Sequence, residues 1–190
     1  RGIGTEKIER SLKAIFPEIR TLRMDADTTK HVGSYEKLYY QFKNQKADVL
    51  IGTQMIAKGL HFPAVTLACL LNCDAGLNMP DYRASEHTFQ LLTQVAGRAG
   101  RGDVSGQVLI QTLSPSNSVI QLAQRGDYHG FFEKELQSRT YFNFPPKSHL
   151  IKVVLKGKDE KQVSQTLERL YQYLRAEGLS KNSLHPPAPC

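Results

Sequence analysis

The sequence predicts an α/β fold in which a parallel sheet is flanked by helices, and three observations carry that expectation. Helix-type and strand-type periodicities alternate along the first two thirds of the chain, the pattern of βαβ construction. Two runs, Asp48-Val-Leu-Ile-Gly-Thr53 and Val65 to Asn72, are apolar and bounded by polar punctuation, as strands buried on both faces are. The composition is ordinary for a globular chain: 190 residues, 40% hydrophobic and 23% charged. That excludes disordered, collagen-like and disulfide-scaffold classes. The longest apolar stretch, Ala64 to Leu71, falls far short of the roughly 20 residues that span a bilayer. No signal peptide is expected, and the expected location is cytoplasmic.

Each element follows from local pattern. Thr5 is expected as an N-cap, followed by Ile8, Leu12 and Ile15 on one helical face. Ile19 to Met24 alternates as a short strand, with the polar Asp25-Ala-Asp-Thr-Thr29 at its carboxyl end. A second helix runs from Ser34 with Tyr35, Leu38, Tyr39 and Phe42 on one face. After Pro80 a third covers about Arg83 to Gly97, and Gln107 to Thr112 returns as a strand. Ser114-Pro115 has the form of an N-cap and first-turn pair opening a helix, with a helical hairpin through Tyr128, Phe131, Phe132 and Leu136. Pro145-Pro146 breaks the pattern. Beyond it, a strand over Leu150 to Leu155 and a helix bearing Val163, Leu167, Leu170, Tyr171 and Leu174 read as the truncated start of a second, α+β domain. The expected division is therefore 1–146 and 147–190. Arg1 in place of Met and the aperiodic His185-Pro-Pro-Ala-Pro-Cys190 suggest a fragment of something larger.

Charge adds a partner class. Twenty-five Lys and Arg against 18 Asp and Glu give a net +7, which favours a polyanion without naming one. The three cysteines, Cys69, Cys73 and Cys190, show no metal-ligand spacing and read as core thiols in a reducing compartment. The six histidines are scattered, with no zinc-type pair.

Ligands of such folds lie outside the carboxyl ends of the strands, and two segments there carry chemistry. In Thr93-Gln-Val-Ala-Gly-Arg-Ala-Gly-Arg101, a helix would bring Gln94, Arg98 and Arg101 onto one face, beside the uncrowded Gly97 and Gly100. Two permanent, planar cations suit a γ-phosphate whose charge spreads in the transition state. Equally, they suit the solvated end of a helix, where cations oppose the dipole. In Asp48 to Pro63, a strand running into Gly52-Thr53 exposes amides and a hydroxyl able to hold a phosphodiester oxygen, with Lys58-Gly59 and His61 following; a simple strand-end cap fits the same residues. Tyr39, Tyr40 and Phe42 read as core on spacing, although rings also stack on bases. Lys152, Lys156, Lys158 and Lys161 suit a protected edge strand as well as a phosphate contact.

Together these segments resemble motifs V and VI of superfamily 2 helicases. The runs Ile51-Gly-Thr-Gln-Met-Ile-Ala-Lys-Gly59 and Leu91-Leu-Thr-Gln-Val-Ala-Gly-Arg-Ala-Gly-Arg101 are similar to those of its replication-restart branch. The likeness extends through Gly4-Thr5-Glu6, Asp25-x-Asp27-Thr28-Thr29, Asp81-Tyr82-Arg83-Ala84-x-Glu86, Gly106-x-Val108-x-Ile110-Gln111-Thr112 and Phe144-Pro145-Pro146. The resemblance implies the second RecA-like lobe of an ATP-dependent 3′–5′ DNA helicase acting in primosome assembly. It implies that Arg98 and Arg101, with Gln94, are catalytic, and that Gly59, Gly97 and both arginines meet the nucleotide. It implies that Thr53, Gln54, Lys58, Gly4 and Thr5 lie on the DNA path. Implied too are ATP and Mg²⁺ held mainly by an N-terminal helicase lobe, and zinc in the parent protein but none bound here. The implied partners are forked or single-stranded DNA, other primosome proteins and single-stranded DNA-binding protein, with no membrane.

Two departures bear on this. His61 stands where many relatives carry Asp, and no G-x4-G-K-[S/T] phosphate loop occurs. The only Asp-Glu pair, Asp159-Glu160, reads as a helix cap, so this chain alone is expected to be inactive. The rival expectations are a non-catalytic nucleic-acid-binding module with a RecA-like fold and a different α/β enzyme such as a nucleotide-binding transferase.

Overall fold

The computed structural model describes residues 4–57, 62–97, 106–179 and 183–188. It forms two compact units, Arg1–Lys147 and Ser148–Cys190.

Parallel strands require a crossover, and in the first unit helices supply it. Helix α1 (Thr5–Ile15) precedes β1 (Thr21–Met24); α2 (Ser34–Lys43) crosses to β2 (Val49–Gly52). β1 and β2 pair in parallel, Thr21 opposite Val49 and Met24 opposite Gly52. A short α3 (Gln54–Ala57) follows β2, then β3 (Leu67–Leu70), α4 (Asp74–Leu77), α5 (Ala84–Ala96) and β4 (Gln107–Ile110). β3 and β4 form a second parallel pair, Leu67 opposite Gln107 and Leu70 opposite Ile110. The α/β class holds, with the parallel strands arranged as two hydrogen-bonded pairs. Helices α6 (Ser118–Arg125) and α7 (Tyr128–Tyr141) complete the unit.

Its core is the apolar face that α5, α6 and α7 turn toward the β3–β4 pair. Phe89, Leu92, Val119, Ile120, Ala123, Phe131 and Cys73 are buried there, with Leu70, Leu77, Ile110 and Leu122 against them. Phe89 and Phe131 stack with centroids 4.1 Å apart. Under the other pair, Met24 is wholly enclosed, and Ile51 and Ala57 are buried.

Several boundaries differ from expectation, each for a local reason. α1 begins at Thr5 with Gly4 as its N-cap, because the Thr5 hydroxyl is turned to Asp25 instead of to its own helix. Ser114-Pro115 does not open α6: the Asn117 amide donates to the Ser114 carbonyl in a turn, and Asn117 caps the helix by accepting from the Val119 amide. Cys73 is buried but Cys69 is exposed, so only one of these two is a core thiol.

In the second unit, α8 (Glu160–Ala176) is capped by Asp159, whose carboxylate accepts from the Lys161 and Gln162 amides. Gly157 fits against it because a Cβ there would press on Val163. The expected strand over 150–155 is not formed. Leu150, Ile151 and Val153 are at least half exposed, and no neighbouring strand among the described residues offers the ladder that its backbone needs. The lysines of that stretch therefore do not protect a sheet edge. No helix among the described residues is long and apolar enough to cross a membrane.

Candidate nucleotide and nucleic-acid interface

The β1–β2 ladder ends level, at Met24 and Gly52, so Asp25 and Thr53 emerge side by side at the carboxyl edge. Gly52 is required there: a Cβ would collide with the Met24 carbonyl oxygen and with Ile56. Thr53 and Gln54 are exposed, and the Thr53 hydroxyl has no partner among the described residues. Its carbonyl accepts from the Ile56 amide at 3.1 Å, starting α3.

Asp25, which spacing did not single out as a site, organises the neighbouring loop. Its Oδ1 accepts from the Asp27 and Thr28 amides, both at 3.0 Å, and its Oδ2 accepts from the Thr5 hydroxyl. The Thr29 hydroxyl donates to the Asp25 carbonyl at 2.7 Å. Arg23 Nε lies 3.1 Å from Oδ2 as an ion contact, outside hydrogen-bond alignment. Burial pushes the Asp25 carboxyl up, but Thr5, Thr28 and Arg23 outweigh it and hold it below the usual carboxylate range. An Asp followed by Thr at i+3 and i+4 is the signature of a self-capping loop, and it was legible on that basis. Beside this loop a cavity of about 470 Å³ is lined by Glu9, Arg23, Thr28, Ser34, Lys37, Leu38 and Gln41.

The second half of the site is the end of α5. Gln94 lies in its last turn, and its Oε1 is buried without a hydrogen-bond partner among the described residues. Gly97 is the C-cap, its amide donating to the Thr93 carbonyl. The described part of α5 ends at Ala96, so of the face expected to be shared by 94, 98 and 101 only Gln94 is described. Arg98 and Arg101, and likewise Lys58, Gly59 and His61, lie outside the described residues. Phe62, just after the latter three, is held against α2 by Tyr39 and Phe42, at 5.4 and 4.8 Å between ring centroids. That half-buried cluster is why Tyr39 and Phe42 act as packing residues while Tyr40 remains exposed.

The two halves touch: α3, which begins at Gln54, packs against α5. Of the remaining candidates, Gly4 and Thr5 start α1 near Asp25, and the Thr5 hydroxyl is already committed to that carboxylate. Sequence reasoning also missed Arg139, a largely enclosed guanidinium bonded to Glu86 at the head of α5; its partner lies 53 residues away in the sequence, so local spacing gives no signal of it. Among the described residues, no group of three or more His, Cys, Asp or Glu is placed to hold a metal.

Residues 4–103 match the family model of the helicase conserved C-terminal domain, just over half the chain. The chain belongs to this helicase C-terminal domain family. Relatives are similar across the whole length. The replication restart protein PriA of Chlamydia pneumoniae is 52% identical over 190 residues, covering 100% of this chain and 25% of that protein. PriA of Bacillus subtilis is 44% identical over 188 residues, 98% of this chain and 23% of that protein. PriA of Treponema pallidum is 40% identical over 189 residues, 100% of this chain and 29% of that protein. The chain thus spans about a quarter of the length of these relatives.

Proposed function

We propose that this chain is the C-terminal motor lobe of an ATP-dependent 3′–5′ DNA helicase that acts in replication restart, in the cytoplasm. The observation that supports it is the packing of α3 on α5. α3 follows Thr53 directly and α5 leads directly into Arg98 and Arg101, so a shift at one is felt at the other through a contact of helices.

In this proposal Thr53, Gln54 and Lys58 hold the DNA backbone from the exposed edge of β2. Gly4 and Thr5 contribute through the uncapped amides at the start of α1, which suit a phosphate oxygen. Arg98 and Arg101 reach the terminal phosphate, while Gly59 and Gly97 let the backbone approach. The buried Gln94 Oε1, without a partner among the described residues, fits a donor arriving at the cleft, a hydroxyl or a guanidinium. The residues present fit one side of a nucleotide only, since the chain has no phosphate loop. Mg²⁺–ATP, when bound, supplies the phosphoanhydride bond whose cleavage drives the cycle. The N-terminal helicase lobe holds it, and this lobe senses it. Primosome proteins, single-stranded DNA-binding protein and a zinc-bearing region belong to the same proposal and rest on family likeness.

The test is to replace Arg98 or Arg101 by Ala in the full-length protein and to measure ATP turnover and DNA affinity. The expected loss of turnover is on the order of 10³-fold or more, with DNA affinity spared. Near-normal turnover in either variant would remove the basis of the proposal. This chain alone is expected to hydrolyse no ATP.

A further inference from the structure

Arg139 sits in the last turn of α7 with only 13% of its side chain exposed. Its Nη2 donates to Glu86 Oε2 at 2.7 Å, its Nε to Glu135 Oε1 at 2.8 Å and its Nη1 to the Pro145 carbonyl at 3.4 Å. The guanidinium also lies over the Tyr82 ring, 5.1 Å from its centroid, and Tyr82 stacks in turn on Phe144 at 5.5 Å. Glu86 is in the first turn of α5, Tyr82 in the loop before it, and Phe144 and Pro145 in the segment after α7. One cation therefore ties the head of α5 to the stretch through which the chain leaves the first unit at Lys147.

We propose that Arg139 is a positioning residue for the phosphate-sensing arginines, acting through Glu86 and the axis of α5. A helix of 13 residues is a stiff rod about 20 Å long, so a tilt of about 3° at its head displaces its far end by about 1 Å. The far end of α5 is Gly97, and Arg98 is the next residue. Misplacing a catalytic group by about 1 Å costs on the order of 10²-fold in rate. The fork geometry of arginine suits this role. It presents several fixed donors to a carboxylate, a carbonyl and a ring face at once, which the single ammonium of lysine does not. Glu86 is itself steadied by Gln90, whose Nε2 donates to Oε1 at 3.1 Å. This proposal rests on the reading of Arg98 and Arg101 as groups that meet ATP.

The experiment uses the full-length protein with Arg139→Met, Arg139→Lys, Glu86→Gln, the double variant Arg139→Met/Glu86→Gln, and Arg98→Ala as reference. ATP turnover is measured well below each variant's melting temperature, with KM for ATP determined alongside. Arg139→Met is expected to lower kcat about ten- to hundredfold while KM changes less than about twofold, because positioning and not ground-state binding is lost. Glu86→Gln should move kcat in the same direction, the double variant should be no worse than Arg139→Met alone, and Arg139→Lys should recover only part of the loss. Glu86→Gln, a nearly isosteric change, carries the test if Arg139→Met does not fold. A kcat within about twofold of wild type in both Arg139→Met and Glu86→Gln, with Arg98→Ala inactive, overturns the positioning role and leaves the helicase reading intact. So does a kcat loss that follows melting temperature across the variants and vanishes on cooling. Normal turnover by Arg98→Ala overturns the helicase reading itself.

Discussion

Gly52 faces Met24 across the β1–β2 ladder so closely that a Cβ on it would enter the space of the Met24 carbonyl oxygen. That oxygen belongs to the strand backbone and cannot swing aside as a side-chain tip would. Gly52→Ala is therefore expected to cost about 3 kcal/mol, at the upper end of small-to-large penalties. Gly126 is the contrasting case. It has φ +68°, and a Cβ added to it would meet nothing within 4 Å, so Gly126→Ala should cost only about 1 kcal/mol for the left-handed backbone. Urea denaturation of both variants decides the ranking, and a Gly126→Ala cost at or above that of Gly52→Ala would contradict the close approach.

Asp48 gives a pH dependence with a definite sign. Its Oδ2 accepts from the Arg20 amide and Nε, both at 3.0 Å, and its Oδ1 from Arg20 Nη2. The Arg20 side chain first, and then its amide, hold the carboxyl down at about 2, against 3.8 for the free group. Above the free value both folded and unfolded chains are ionised, and the full contribution is present. As pH falls toward 2 the unfolded chain takes up the proton first, and stability is lost across that window. Melting curves between pH 5 and 2 should therefore fall less steeply for Asp48→Asn than for wild type. Equal slopes would mean that the Arg20–Asp48 pair does not persist in solution.

Much of the fold was legible because it rests on short-range pattern. The apolar run ending in Gly52-Thr53 and the amphipathic stretch ending near Gly97 lie where the periods place them, and Asp159 caps α8 as its position predicted. What was not legible depends on groups distant in the sequence. The Thr5 hydroxyl left its capping role for a carboxylate twenty residues away, and Arg139 meets Glu86 across fifty-three residues. The 150–155 run has strand composition without a neighbouring strand, and composition alone does not complete a ladder. At the site, residue types marked Thr53 and Gln94, but only the folded chain reveals that α3 and α5 bring their helices together.

The α5–α7 contact offers a direct measure of core packing. Phe89 is 3% exposed, stacked on Phe131 with an interplanar angle of 9°. Phe89→Ala should cost about 3–5 kcal/mol through lost burial and the cavity left behind, and Phe89→Leu distinctly less. Calorimetry or denaturant titration reads both. If the two substitutions were equally mild, α5 would not be anchored at this point and could not carry a displacement from its head to Gly97.

The two threonines expected to meet DNA are predicted to behave differently. The Thr5 hydroxyl donates its proton to Asp25, a charged acceptor, whereas the Thr53 hydroxyl is exposed and has no partner among the described residues. Removing a hydrogen bond to a charged group costs about 1.5–3 kcal/mol, so Thr5→Val should lower stability by about that amount. Its affinity for single-stranded DNA, measured on folded full-length protein, should change less than about threefold if only amides at the start of α1 meet the phosphate. Thr53→Val should do the reverse, leaving stability within about 0.5 kcal/mol and weakening DNA binding about three- to tenfold, the worth of one hydrogen bond. Neither change removes a cation, so the salt dependence of binding should keep its slope. A Thr5→Val variant that is stable but weak in DNA binding would show that its hydroxyl leaves Asp25 for the phosphate when DNA arrives.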